Sequence, residues 1–208
     1  LKSASEIISE TTDKEKQEKL LKIMIHDVSR IDRLITDYSQ MLKDELAISS
    51  EQMEDVDLKP IIESVVDDFN NIYIEKKNLN IKLNTSGSKK YLIKGISNRL
   101  EQIIANLLDN AVSFSNNGSS VLVDLNKDDS NISLKVIDQG DGFRETDIKK
   151  VFDRFYSNRP ENFGEHSGLG LNIVKNLVDI HKGEIFASNN PQGGAIVEIK
   201  FPKIISKS

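Results

Sequence analysis

The sequence has no cysteine and no tryptophan, and it has only four prolines and eleven glycines among 208 residues. The absence of cysteine excludes disulfide bonds and thiolate metal sites, and it fits a reducing compartment. No apolar run approaches the roughly 18 residues that a membrane-spanning helix needs. A formal net charge of -5 gives no sign of a surface for nucleic acid or for an anionic membrane. The length is sufficient for one full domain with a core and a smaller appendage.

The first part of the chain carries an apolar series whose spacing alternates between three and four residues. Its members are Leu21, Met24, Val28, Ile31, Ile35, Tyr38 and Leu42. This spacing is typical of the seam of a coiled coil or a four-helix bundle, and Thr12 with Glu15 forms a capping-box start. The same spacing recurs in residues 1–10, which we expect to end a preceding helix. Because a lone hairpin cannot bury two seams, we expect two copies to form a four-helix bundle; the alternative is a helix packed on its own domain.

After a polar linker at 48–57, the chain changes to a mixture of helices and strands. Pro60 suits the first turn of one helix, Ser97 can cap another that runs to about Phe114, and a third is predicted over 168–181. Alternating apolar residues predict strands near 79–83, 91–93, 120–126, 132–138, 184–188 and 195–201. This order of elements favours an α+β fold in which helices cover a sheet.

The first of three polar and glycine signatures is Asn106-Leu107-Leu108-Asp109-Asn110. Its two asparagines are four residues apart, so their amides lie above one another on one face of a helix. Asn110 also falls in line with Phe114 in an otherwise apolar stripe, where a buried amide needs partners. A hydrated Mg²⁺ with phosphate oxygens would supply those partners, and so would the nearby backbone.

The other two signatures are rich in glycine. In Asp138-Gln139-Gly140-Asp141-Gly142 the carboxylate ends a predicted strand and can accept from an exocyclic amine such as that of adenine, although a tight turn would use the same residues. Ser167-Gly168-Leu169-Gly170-Leu171 opens a predicted helix, and the free N–H groups of such an end bind phosphates. A capped helix start with close packing at glycine is the alternative for the third signature.

Together the three signatures resemble the ATP-binding domain of sensor histidine kinases, within the GHKL family of ATPases. Between them, Val151-Phe152-Asp153-Arg154-Phe155-Tyr156 resembles the phenylalanine box at the start of that family's ATP lid. The resemblance implies an α+β protein with a dimerisation and histidine-phosphotransfer hairpin at 1–47, which forms a dimeric four-helix bundle. A linker at 48–57 and a GHKL (Bergerat) α/β sandwich at 58–208 would follow. The segment from His26 to Ile35 most resembles envelope sensors of the ChvG type.

The resemblance also implies roles for individual residues in binding ATP and Mg²⁺. Asn110 would ligate Mg²⁺, and Asn106 would act beside it at the phosphates as a catalytic residue. Asp138 would bind the adenine amine, while Gly140 and Gly142 would line the base. The remaining contacts, from the ribose to the phosphates and the lid, would come from Phe114, Arg154, Phe155, Ser167, Gly168, Leu169 and Gly170, with Arg154 a second catalytic candidate.

At two positions this chain differs from some members of the family. Hydrolytic relatives carry Glu where this chain has Asn106, and an amide cannot act as a base, so phosphoryl transfer is favoured over hydrolysis. Many relatives carry Lys where this chain has Ser113, so we expect somewhat weaker affinity for ATP. A pseudokinase that binds nucleotide without transferring phosphate, and an ATPase that moves on hydrolysis, are the alternative functions.

The family phosphorylates a histidine early in the first bundle helix, and the three histidines of this chain are His26, His166 and His181. His26 precedes an acidic residue, but only one predicted helix separates it from the ATP-binding part, so we expect the acceptor before Leu1; the alternative is His26 itself. His166 falls in the lid, where a solvated residue is expected. For His181 we expect a favourable contact with the dipole at a helix end.

The resemblance finally implies partners and a location. The chain would be the cytoplasmic region of an inner-membrane sensor, attached to the membrane only through segments that this sequence does not contain. It would form a homodimer through the hairpin and pass its phosphoryl group to an aspartate in the receiver domain of a response regulator. That regulator would dock near Arg30 and Arg33, and no nucleic acid would be bound.

Overall fold

The computed structural model describes residues 14–48, 51–87, 90–145, 147–154, 156 and 168–204. These residues fall into two compact units that divide between Ile48 and Glu51. The first is a 35-residue helix, α1, from Lys14 to Ile48. Its predicted capping residue Thr12 and the predicted helix within residues 1–10 lie outside the described residues, so the hairpin and its four-helix bundle stay predictions. No described helix combines the length and apolar character that crossing a bilayer requires.

Much of the apolar seam of α1 is exposed among the side chains that the structure describes. Val28 is 51% exposed, Ile31 41% and Ile35 60%, although residues of this type are usually buried. An apolar stripe of this kind along a helix is a surface that other helices cover in bundles.

The second unit contains three α-helices, seven strands and a short 3-10 helix among its described residues. In chain order they are β1 (Glu54–Asp57), α2 (Leu58–Lys77), β2 (Asn80–Thr85), β3 (Leu92–Gly95), α3 (Ser97–Phe114), β4 (Ser120–Lys127), β5 (Asn131–Ile137), the 3-10 helix (Ile148–Phe152), α4 (Gly170–Ile180), β6 (Glu184–Asn189) and β7 (Ala195–Pro202).

Five of the strands form one sheet in the order β2-β4-β5-β7-β6. Only β2 and β4 pair in parallel; the other neighbours are antiparallel. Burial alternates along β4 and β5, as expected of a sheet with one face on a core. Helix α3 contacts both α2 and α4, so it is the middle helix of the layer. The predicted α+β sandwich is therefore confirmed for this unit.

The open edge of this sheet is partly covered by a side chain of α2. On edge strand β2, the N–H of Ile81 donates to Oδ1 of Asn70 over 2.8 Å, and Nδ2 of Asn70 donates back to the carbonyl of Ile81 over 3.0 Å. One amide thus satisfies both outward-pointing backbone groups of Ile81 and fastens α2 to the sheet.

Two local predictions are wrong. The region predicted as a polar linker contains β1, which pairs with β3 in a separate two-stranded sheet. The residue before α3 is Ile96, with no side-chain cap, and Ser97 is the first residue inside the helix. At the start of α2 the cap is Asp57, whose Oδ1 accepts from the N–H of Lys59 over 3.2 Å and of Tyr91 over 3.0 Å.

Candidate nucleotide site

Helix α3 carries the two asparagines of the first signature outside its fully buried face. Asn106 and Asn110 are half-buried rather than fully buried, while Ile103 and Leu107 of the same helix are 1% and 2% exposed. Nδ2 of Asn106 donates to the carbonyl of Gln102 over 3.0 Å. The nearby backbone therefore satisfies one half of the Asn106 amide, whereas the two interpretations given for the Asn110 amide stay predictions.

The third signature meets the first at Gly170. A Cβ at this position would lie 3.2 Å from Nδ2 of Asn110 and 3.8 Å from Oδ1 of Asn106. Glycine thus keeps open the space in front of both amides. Helix α4 begins here, and its N-cap residue, Leu169, has an apolar side chain that makes no capping hydrogen bond. The first N–H groups of α4 and its positive dipole end therefore start beside the two asparagines, which is an arrangement that binds anions.

The second signature reaches the other end of α3. A Cβ at Gly140 would lie 2.5 Å from the carbonyl oxygen of Phe114, the last residue of the helix. Gly142 adopts a φ of +76°, and a Cβ there would lie 2.8 Å from Oδ1 of Asn189. Gly142 thus uses the positive φ that glycine permits, whereas Gly140 is required by close packing.

Asp138 lies at the bottom of this turn and is 7% exposed. Its Oδ1 accepts two backbone hydrogen bonds, from the N–H of Gly140 over 2.9 Å and of Ala195 over 3.0 Å. Burial raises the pKa of Asp138, and the two N–H donors act in the opposite direction. A Cβ at Gly194 would overlap the carbonyl oxygen of Asp138. The carboxylate is thus held from two sides of the turn.

His181 is the residue at the C-terminal end of α4, and it is buried. It is 4% exposed, and its Nε2 accepts the N–H of Ile96 over 3.1 Å. Its Nδ1 lies 2.6 Å from the carbonyl of Leu177 and must therefore carry the proton. Burial lowers the pKa of His181, while the Leu177 contact opposes this shift. The ring is neutral and joins the end of α4 to the start of α3. The predicted contact with a helix end is present, because Nδ1–H donates to a carbonyl of the last turn of α4, but the ring makes it as a neutral donor.

Other predicted site residues lie outside the described chain or have exposed side chains. Phe155, Ser167 and His166 lie outside it. Arg154 is exposed beyond the 3-10 helix, and Phe114 is 36% exposed at the end of α3. The roles of these residues stay predictions.

Sequence reasoning missed two polar residues that position the site. Asn172 of α4 is buried and donates from Nδ2 to the carbonyl of Phe152 over 2.8 Å, which ties the 3-10 helix to α4. Lys77 of α2 donates from Nζ to the carbonyl of Val112 over 2.9 Å and so neutralises the C-terminal end of α3. An asparagine in an otherwise apolar helix was the available signal for Asn172; nothing in the sequence distinguished Lys77 from other surface lysines.

A profile of the histidine kinase-, DNA gyrase B- and HSP90-like ATPases matches residues 95–205, which include all three signatures. The chain belongs to this ATPase family. Within it, the chain is similar to sensor histidine kinases. It is 33% identical over 196 residues to the sensor protein ChvG of Agrobacterium fabrum, an alignment that covers 91% of this chain and 33% of that protein.

Further histidine kinases share this similarity. BaeS of Escherichia coli, a signal transduction histidine-protein kinase, is 28% identical over 179 residues, which cover 85% of this chain and 38% of BaeS. The solved structure of the mycobacterial sensor histidine kinase MprB superposes with a TM-score of 0.61 at 27% identity, over 73% of this chain and 97% of that structure. The chain spans about a third of the length of the curated relatives it matches.

Proposed function

We propose that this chain is the dimerising and ATP-binding part of a sensor histidine kinase. The intact protein would bind Mg-ATP, transfer the γ-phosphoryl group to a histidine of its own dimerisation region, and pass it to an aspartate of a response regulator. The observation that carries this proposal is the convergence of three signatures, separated along the chain, on one helix: Gly170 beside Asn106 and Asn110, and Gly140 against the carbonyl of Phe114.

Different residues of the site would bind different parts of the nucleotide. The turn at Asp138 suits the base because a carboxylate accepts from an amine, and the glycines beside it allow a flat ring to approach the backbone. The N-terminal end of α4 suits the phosphates. The described residues contain no group of three His, Cys, Asp or Glu side chains that could hold a metal. A magnesium ion held by Asn110, waters and phosphate oxygens would be consistent with this, because Mg²⁺ keeps several waters and binds with substrate phosphates.

The reaction class follows from the residue at position 106. Water must lose a proton to attack a phosphoryl group, and the amide of Asn106 cannot accept that proton. Its Nδ2 is moreover committed to the carbonyl of Gln102 over 3.0 Å. When bound, Mg²⁺ would neutralise charge on the phosphate oxygens. The protein's part is to position the nucleotide for a nucleophile that another segment supplies, which favours transfer over hydrolysis.

The homodimer is proposed from the exposed seam of α1. An apolar stripe with side chains 41–60% exposed between Val28 and Ile35 is unfavourable in water and would be covered by a second copy. Replacing Val28 by Glu should convert a dimer to a monomer in sedimentation velocity. Ile23→Glu is the matched control, because Ile23 is 48% exposed but off the seam. Equal behaviour of the two variants would argue against the bundle.

Nucleotide binding is tested directly by titrating this chain with a non-hydrolysable ATP analogue, with and without Mg²⁺. Asn110→Ala should remove the enhancement by Mg²⁺. Asn98→Ala changes the same residue type on the same helix at an exposed position and should leave binding intact. A wild-type chain that binds no nucleotide would refute the proposed function.

Phosphotransfer is tested with γ-labelled ATP by scoring acid-labile phosphate on this chain and on a natural chain that continues further toward the N-terminus. Label only on the longer chain would support an acceptor before Leu1. Label on this chain that disappears in His26→Ala would make His26 the acceptor and overturn that placement. Binding of ATP without label on either chain would favour the pseudokinase.

A further inference from the structure

Arg99, in the first turn of α3, is buried although it carries a permanent charge. It is 9% exposed and forms an ion pair with Glu51, the third residue after Ile48, where α1 ends. Nε of Arg99 donates to Oε2 of Glu51 over 3.3 Å, and Nη2 donates to Oε1 over 3.0 Å. This bidentate geometry fixes both the distance and the orientation of the two groups.

The contacts continue from Arg99 toward the candidate site. Nη1 of Arg99 donates to Oε1 of Gln102 over 3.3 Å, and the backbone carbonyl of Gln102 accepts from Nδ2 of Asn106 over 3.0 Å. Arg99 thus holds the side chain of Gln102, and the backbone carbonyl of the same residue holds the first asparagine of the site. The three residues follow one another along one face of α3, with successive steps of three and four residues.

We propose that Glu51 and Arg99 are positioning residues for the nucleotide site: their ion pair fixes the segment that follows α1 to α3, and through Gln102 it orients the amide of Asn106. This inference rests on the proposed function, since it assigns the pair to the binding of Mg-ATP. Neither residue touches the nucleotide. Their effect is on the geometry of Asn106, so a change in the chain just after α1 alters the affinity of the site.

Other ion pairs of this unit offer a contrast. Lys94 and Asp55 form a pair of 2.5 Å between β3 and β1, but their side chains are 65% and 55% exposed. The side chains of Arg99 and Glu51 are 10% and 25% exposed. Exposed pairs contribute little, whereas removing one member of a buried pair leaves a charge without its partner. Asp55 lies four residues from Glu51 in the chain, so Asp55→Asn is a matched control for Glu51→Gln.

The test measures the dissociation constant of the Mg-bound ATP analogue and, in parallel, the thermal unfolding midpoint. Glu51→Gln and Arg99→Met should each weaken binding about tenfold, the lower end of the effect of losing an outer partner of a ligating group. Asp55→Asn should keep wild-type affinity. The double variant should bind no more weakly than the weaker single variant, because the two residues act through one contact.

A second measurement separates positioning from simple stabilisation. In the nucleotide-free protein, Glu51→Gln should accelerate amide hydrogen exchange in the first two turns of α3 and leave α4 unchanged. Wild-type affinity in both single variants, with a lowered unfolding midpoint, would overturn the inference and leave the pair a structural one. Glu51→Gln keeps a hydrogen-bonding side chain of the same size, so it tests the inference even if Arg99→Met does not fold. A wild-type chain without affinity for nucleotide would instead overturn the proposed function.

Discussion

The turn around Asp138 and the junction around His181 bury an ionisable side chain to nearly the same degree, 7% and 4% exposed. They differ in how those side chains are used. At His181 one ring nitrogen accepts from Ile96 and the other donates to Leu177, so both are occupied within the fold. At Asp138 the donors that the described part of the chain offers both reach Oδ1. A buried polar group that makes all its hydrogen bonds within the protein joins elements of the fold. A buried group with an acceptor atom that the described residues do not use can bind a ligand.

The largest effect is expected from a substitution that disturbs the Asp138 turn sterically. Gly194 has a φ of +91°, and a Cβ there would overlap the carbonyl of Asp138. Gly194→Ala should therefore lower the free energy of unfolding by about 4 kcal/mol or more, because backbone strain and overlap act together. Urea denaturation measures this. Gly193→Ala is the control for φ alone, since Gly193 also has a positive φ but no neighbour within 4 Å of its Cβ; equal losses would remove the steric argument.

The second prediction concerns the junction. His181→Leu leaves the buried N–H of Ile96 without its partner, while the carbonyl of Leu177 keeps the backbone N–H of residue 181. The free energy of unfolding should fall by roughly 1–3 kcal/mol. The affinity of the folded protein for nucleotide should change little, because the ring does not face the three signatures. Chemical denaturation measures the stability, and a binding titration on the same samples measures the affinity. A large loss of affinity at unchanged stability would contradict the structural role.

The third prediction concerns Asp138, where we expect a substitution to lower the affinity for nucleotide and not the stability. Asp138→Asn can still accept from Gly140 and Ala195, but it presents a donor where the adenine amine would also donate. Affinity for the ATP analogue should fall roughly 100-fold, which corresponds to the loss of one charged hydrogen bond. Stability should not fall, because burial already disfavours the ionised carboxyl. A variant that unfolds easily yet binds nucleotide normally would show that Asp138 is structural.

The smallest effect is a difference in pH dependence. Burial lowers the pKa of His181 from 6.5, so its contribution to stability is full above that value and is lost as the pH falls through the lowered pKa. Burial raises the pKa of Asp138, so its ionisation costs stability as the pH rises through the raised value. Unfolding free energies should be measured across acidic pH for the wild type and two variants. The pH dependence due to His181 should be absent in His181→Gln, and that due to Asp138 should be absent in Asp138→Asn. Identical pH profiles for wild type and both variants would contradict these assignments.

The regular elements were predictable because their periodicity is local. Strands β4 and β5 alternate buried and exposed residues along the sequence, and α3 carries a continuous apolar face. Strand β1 was missed because Glu54-Asp55-Val56-Asp57 has almost no apolar content, and its extended form depends on pairing with β3 nearly forty residues later. The parallel pairing of β2 with β4 depends in the same way on tertiary packing, which no window of sequence reveals.

For the candidate site, the sequence indicated the three signatures that the structure brings to α3, but it did not indicate their contacts. The signatures were readable because glycine and amide residues are unusual in helix and strand positions. The sequence did not indicate that Gly140 is required by the carbonyl of Phe114 rather than by its φ. Nor did it indicate the neutral tautomer of His181, which depends on an N–H 85 residues away. Such partners are fixed only when the chain is folded.

The contact between Asn70 and edge strand β2 has a consequence for how copies of this protein behave in concentrated solution. An open strand offers unpaired N–H and C=O groups to any similar strand, and this is a common route to aggregation. Because the amide of Asn70 already occupies both groups of Ile81, a second sheet cannot add there without displacing it. Asn70, which fastens α2 to the sheet, therefore also hinders aggregation through this edge strand.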